Sequence, residues 1–228
     1  MIAPVRAKAV GNVSTITFDE STPLDNTHLL IVFRNTTTGS ALGTPSGWTQ
    51  VDSQSLSANG NMTMWVRRAD GVVNSFSSGS TSTDSSLSML AFSGFISATP
   101  ATKGKLDSNT YATSYPVTIP DTAGVYGVAV AGMGLGYATT SWTGWTGELA
   151  MATGVNTGSV AYGEFIPGGG ALDATATWTP VAPFSEPGYI WAVFPLTAPT
   201  PPLTVSYALG ANAVTLALGA NEVFGQLG

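Results

Sequence analysis

The chain has 228 residues, 43% of them hydrophobic and only 9% charged, with no cysteine, one histidine and a net charge of −6. Its 6 Trp, 7 Tyr and 9 Phe exclude a disordered chain, which would be poor in rings and rich in charge. With 7 Lys plus Arg against 13 Asp plus Glu there is no basic stripe for nucleic acid, and the missing cysteines remove disulfides, thiolate metal sites and thiol nucleophiles.

Residues 1–12 carry Arg6 and Lys8 without the apolar core of a secretory signal, and read as an N-terminal arm. Beyond them the apolar runs are short, β-branched and punctuated by Gly, Pro, Asn and Ser, and no stretch of eleven or more holds a capped helical period. The pattern predicts strands at Val13–Phe18, His28–Arg34, Trp48–Ser53, Met62–Arg68, Ser86–Phe95, Tyr115–Ile119, Val125–Gly132, Trp145–Ala150, Ser159–Phe165, Ala174–Trp178 and Tyr189–Pro195. Turn signals separate them, among them Asn59-Gly60, Asp70-Gly71, Pro120-Asp121 and Gly168-Gly169-Gly170. The most continuous apolar stretch, Ala123–Ala138, is too short and too glycine-rich to cross a bilayer as a helix, so no membrane partner is expected.

Laid over itself with a shift of 97 residues, the chain repeats. Leu29–Phe33 falls on Tyr126–Val130, Gly47-Trp48-Thr49 on Gly144-Trp145-Thr146, Met62–Arg68 on Ser159–Phe165 and Gly71 on Gly168; with a small gap, Ser88–Phe92 falls on Ile190–Phe194. One half alone would bury little, because a single sheet needs a second to cover its apolar face. The expected fold is therefore all-β: a two-sheet antiparallel, jelly-roll-like β-sandwich over residues 13–196, with halves at about 13–96 and 110–196. Trp48, Trp65, Trp145, Tyr162 and Trp191 are its expected core rings. In Met62–Arg68, both the even and the odd positions carry apolar residues, which leaves the buried face open.

After Pro195 the character changes. Residues 197–202, Thr-Ala-Pro-Thr-Pro-Pro, form a semi-rigid linker, and beyond it Tyr207–Thr215 is followed at once by the similar Leu216–Phe224. Fully extended at roughly 3.3 Å per residue, Thr200–Gly228 would reach about 90 Å. Residues 203–228 are expected to act as an extended attachment arm, with Leu203, Val205, Tyr207, Leu209, Val214, Leu216, Leu218, Val223, Phe224 and Leu227 as its contacts on another subunit.

Catalytic signals are sparse. His28 opens an apolar strand without a nucleophile elbow or a second histidine, and reads as structural. Glu148 and Glu164 lie on neighbouring predicted strands and could serve as the paired carboxylates of a glycosidase, and the repeat sets Arg67 at the position matching Glu164, where the two could pair across the halves. Asp19-Glu20 with Asp25, or Asp107 with Asp121, offer hard oxygen ligands but no Asp-x-Asp-x-Asp-Gly loop, so neither metal nor cofactor is expected, nor enzymatic activity. Trp142 and Tyr137 are the candidate ligand contacts: they sit in a polar segment, and Trp142 falls on Pro45 in the repeat, with no aromatic counterpart, whereas Trp145 is matched by Trp48.

Asp25-x-x-His28-Leu29-Leu30-Ile31-Val32-Phe33, Thr44-Pro45-Ser46-Gly47-Trp48-Thr49, Asn59–Arg67 and Ser88–Phe95 resemble the β-sandwich module of tailed-bacteriophage virion proteins, over roughly residues 10–196. The resemblance implies a non-enzymatic structural component of a phage particle, a minor tail or appendage protein, made in the host cytoplasm and residing in the virion. Its implied partners are other virion proteins and further copies of itself. The same resemblance admits a capsid decoration protein, or a carbohydrate-binding module that meets host glycan through Trp142 and Tyr137.

Overall fold

The computed structural model describes residues 2–11, 13–18, 24–36, 43–55, 60–72, 75–79, 85–107, 114–121, 125–136, 138–151, 156–180, 188–198, 203–209 and 212–218. Among these every regular element is a strand. The chain divides into two compact units, Met1–Thr197 and Ala198–Gly228.

In the first unit, β1 (Arg6–Gly11), β3 (His28–Thr36), β4 (Thr49–Ser55), β5 (Asn61–Arg68) and β7 (Ser85–Ser93) form one five-stranded antiparallel sheet in the order β1-β7-β3-β5-β4. A second sheet contains β8 (Thr102–Asp107), β10 (Gly127–Gly136), β12 (Gly147–Met151), β13 (Asn156–Phe165) and β15 (Gly188–Pro195), ordered β12-β13-β10-β15-β8. Read from β8, the second order reproduces the first strand for strand, so the duplication expected from the sequence is a duplication of topology. Each sheet is built wholly from one half of the chain.

The two sheets stack face to face, β3 over β10 at the centre, β7 over β13, β5 over β15, and the edges β1 over β12 and β4 over β8. Exchanging the halves maps this set of contacts onto itself, which is a pseudo-twofold axis between β3 and β10. At one end of the axis the halves are zipped: Ile96 N–H donates to Pro195 O at 2.9 Å and Thr197 N–H to Gly94 O at 2.7 Å. Leu29, Ile31, Phe33, Met62, Met64 and Val66 of one sheet meet Val128, Val130, Val160, Ile190, Ala192 and Phe194 of the other in a central core.

Each sheet is also covered on its outer side. The two-stranded sheet of β2 (Thr15–Thr17) and β6 (Ser75–Ser77) lays Ile16 and Phe76 against Leu30, Val32, Trp65, Met89 and Ala91. Opposite, β9 (Ser114–Ile119), β11 (Ala138–Thr143) and β14 (Leu172–Pro180) form a three-stranded sheet whose Val117, Ile119 and Trp142 pack on Ala129, Ala131, Ala161, Trp191 and Val193. The two layers of the expected sandwich are thus the inner pair of four. This explains the apolar residues on both faces of β5: Met62, Met64 and Val66 enter the central core, while Trp65 enters the outer one.

Residues 6–11, expected within an N-terminal arm, are instead an edge strand, with Arg6 opposite Ala91 and Lys8 opposite Met89. The halves therefore begin earlier than residues 13 and 110, at the segments entering β1 and β8. Both edge strands interleave basic residues with small ones, Arg-Ala-Lys-Ala and Thr-Lys-Gly-Lys, a composition that discourages edge-to-edge pairing and hides the strand from hydrophobic periodicity. The shift of 97 holds for β3 and β10 but becomes 98 in β13, where Glu164 pairs with Val128 as Val66 pairs with Ile31. Arg67 and Glu164 are therefore not counterparts.

The repeated Gly-Trp-Thr has a backbone reason. Trp48 N–H donates to Pro45 O at 3.1 Å with Gly47 at φ 78°, the third position of a type II turn, and its duplicate Gly144 has φ 85°.

In the second unit β16 (Leu203–Leu209) and β17 (Asn212–Leu218) form an antiparallel hairpin. The segment expected to run extended doubles back on itself, and the chain reverses inside the first of its nine-residue repeats. The register is Leu203↔Leu218, Val205↔Leu216 and Tyr207↔Val214.

Candidate functional site

Trp142 does not present a ring to solvent. It lies on β11 within the outer core of the second half, 9% exposed, with its indole N–H donating to Ser159 Oγ at 2.7 Å and its ring edge-on to Trp145 at 5.9 Å. This corrects its assignment as a ligand platform: a stacking surface needs an open ring face, and here the ring is packed and the polar end satisfied. Among the described residues, β11 pairs with β14 where the first half shows the β2–β6 pair, with no counterpart of β11. Tyr137 lies outside the described residues. Trp48, Trp65 and Trp191 are buried as expected, with Trp145 and Tyr162 packed partly buried against their cores.

The most elaborate polar arrangement is one that sequence inspection missed, along the stacked edges β4 and β8. Lys105 on β8 reaches across to β4, with Nζ 3.1 Å from Asp52 Oδ1 and donating to Ser53 O at 2.7 Å. Lys103 Nζ donates to Val51 O and lies 3.7 Å from Asp52 Oδ2. Burial alone pushes the Asp52 carboxyl up, but the Ser53 N–H at 2.8 Å, the Lys105 hydrogen bond and the two ammonium charges outweigh it and hold the group below its usual value. A bulge between Gln50 and Asp52 turns the β4 edge so that these carbonyls face the lysines. The lysines thereby strap one sheet to the other while charging an otherwise open edge. The alternating Lys-Gly-Lys of residues 103–105 was the available signal.

Beside this strap lies a groove of about 370 Å³ between β4 and the segment entering β8, lined by Thr49, Gln50, Val51, Val66, Ala98 and Lys103 among others. No protein-family model, no curated protein and no solved structure matches this chain.

The remaining candidates are bound into local structure. Asp25 Oδ1 accepts from Thr27 Oγ1 at 2.6 Å and Thr27 N at 2.9 Å, and lies 2.8 Å from His28 Nδ1; these bonds, Thr27 first, hold its carboxyl down at about 2. His28 thus anchors a turn at the start of β3. Glu164 Oε1 accepts from Tyr126 Oη at 2.7 Å; burial and then this carboxylate push the Tyr126 phenol up to about 12. Arg67 Nη2 pairs with Asp70 rather than with Glu164. Glu148 sits on β12 opposite Ala161. Asp19, Glu20, Val223, Phe224 and Leu227 lie outside the described residues.

Arg34 is the chemical oddity. It is 2% exposed on β3, between Thr63 and Leu87, and its Nε is buried without a hydrogen-bond partner. Burial alone pushes the guanidinium down from its usual value. Thr63, opposite it on β5, spends its hydroxyl elsewhere, Thr63 Oγ1 donating to Asn61 Oδ1 at 2.6 Å and Asn61 Nδ2 to Ser53 Oγ at 3.2 Å.

Proposed function

We propose that this chain is a non-enzymatic structural component of a tailed-phage particle, a minor tail or appendage protein that attaches through its C-terminal unit and displays the duplicated sandwich. The observation that carries the reading is the hairpin of β16 and β17, which falls in a unit of its own. A two-stranded hairpin is marginal in water by itself, and a sequence as rich in large apolar residues as Leu203–Leu218 calls for a partner surface. The resemblance of residues 10–196 to virion sandwich modules supports the same reading, as does a surface made polar by hydroxyls rather than charge. The glycan-binding alternative loses its main candidate contact with the burial of Trp142.

Deleting residues 198–228 tests it. The truncated chain is expected to stay monomeric and to melt within a few degrees of the full chain, while the full chain alone self-associates in light scattering and co-sediments with phage particles. A truncated chain that aggregates or melts far lower would show that the hairpin belongs to its own sandwich, and attachment would lose its basis. Imaging of the particle separates a tail position from a capsid decoration.

A further inference from the structure

The pseudo-twofold reveals one position that the two halves fill unequally. Val5 N–H donates to Ala91 O and Ala101 N–H to Val193 O, both at 2.8 Å, so the segment entering β8 holds the place in its half that the segment entering β1 holds in the other. Pro100 then corresponds to Pro4, and Ala98 to Ile2. Both Ile2 and Ala98 pack against the central core, but one brings a branched aliphatic chain and the other a methyl group. The groove of about 370 Å³ lies on the Ala98 side.

Its floor and its rim differ in chemistry. Val51 and Val66, which floor it, belong to the central core, and Ala98 and Pro100 extend the apolar surface. At the rim stand Thr49, Gln50 and the ammonium of Lys103, whose side chain is 47% exposed. Among the described side chains, Lys103 and Lys105 share a single carboxylate, Asp52, a surplus of one positive charge on a chain whose net charge is −6. The volume falls within the range of small-molecule sites, which combine an apolar wall with a few polar groups that orient the ligand.

We propose that this groove binds a small amphiphile, its aliphatic chain lying where Ile2 lies in the other half and its anionic head at Lys103. The proposal stands apart from the assembly role, since it requires neither the C-terminal unit nor a particle.

Titration calorimetry and ligand-detected NMR on the full chain, with octanoate, octanol and acetate as probes, test it. Octanoate is expected to saturate with a Kd below about 1 mM, octanol to bind several-fold more weakly and acetate not at all. Ala98→Ile, which installs the residue of the other half, is expected to abolish octanoate binding at an unchanged melting temperature. Lys103→Gln is expected to erase the preference for octanoate over octanol. Failure of octanoate to saturate, or an Ala98→Ile chain that binds it as tightly as the parent, would overturn the proposal. Should Ala98→Ile disturb the fold, contacts in the parent chain decide: nuclear Overhauser effects between the octanoate methyl and the Ala98 methyl support the site, and their absence during binding refutes it.

Discussion

The two halves share strand order, turn geometry and the hydrogen bonds of their entering segments, and they differ in how they fill space. At the pseudo-twofold the first half places Phe33 where the second has Val130, and the second answers with Gly132, whose added Cβ would come within 2.3 Å of the Phe33 ring. The outer core of the first half is closed by a two-stranded sheet with Trp48 and Trp65 each against Phe76, that of the second by a three-stranded sheet with Trp142 against Trp145. One strapped edge carries Ala98 where the other half has Ile2. A symmetric dimer cannot make such exchanges, because every change in one copy is repeated in the other and both sides of the axis stay identical; two copies fused into one chain can trade volume across the axis. The difference teaches that the fold is held by the shared strands, and that new sites arise where the copies stopped compensating.

Substitutions that break each half separately should have the largest effects. Trp65→Ala in the first outer core and Trp142→Ala in the second are each expected to cost about 3–5 kcal/mol in denaturant unfolding, and a change in Trp142 that spared stability would return it to the list of ligand contacts. Next, Gly132→Ala is expected to cost about 1–3 kcal/mol through overpacking, with Phe33→Leu in the same chain recovering part of the loss; strict additivity in that double-mutant cycle would refute the traded volume.

Smaller effects probe the charges. Arg34→Met, which removes a buried guanidinium lacking a partner at Nε, is expected to be neutral or to stabilise by about 1 kcal/mol, as read from the urea midpoint; a loss above about 2 kcal/mol would mean that the guanidinium has a partner that matters. Asp52→Asn should weaken the β4–β8 strap by about 1 kcal/mol, less at high salt. The folded Asp52 carboxyl lies below its unfolded value, so its stabilisation is present at neutral pH and lost as pH falls into the acid range, and the variant should flatten that decline. Asp25 follows the same sign, its contribution complete above the ordinary carboxylate value and lost as pH falls through about 2. Carbon-detected NMR titration of that carboxyl reads it directly.

Each of the eleven strands expected from apolar patterning overlaps an observed one, because alternation and β-branched runs report burial locally. The strands that escaped are instructive. β1 and β8 carry alternating basic residues because they are edges, β6 is three residues long, and β11 is a Thr-rich segment whose only large apolar residue is Trp142. The hairpin of the second unit escaped because its two strands lie within what reads as one oily run. The edge site was illegible for a different reason: Asp52 and Lys103 lie 51 residues apart, on strands of different sheets, and meet only when the sheets stack.

The sequence by itself determined an all-β chain, the place of its central strands and their duplication, since period-two burial and glycine turns act over a few residues. The tertiary structure alone decided which layer each face meets, that Trp142 turns inward, that one-residue slippage separates Arg67 from Glu164, and that Ala98 leaves room where Ile2 does not. Those outcomes depend on what lies across the interface, and a shift of a single residue in a strand exchanges one side of the sheet for the other.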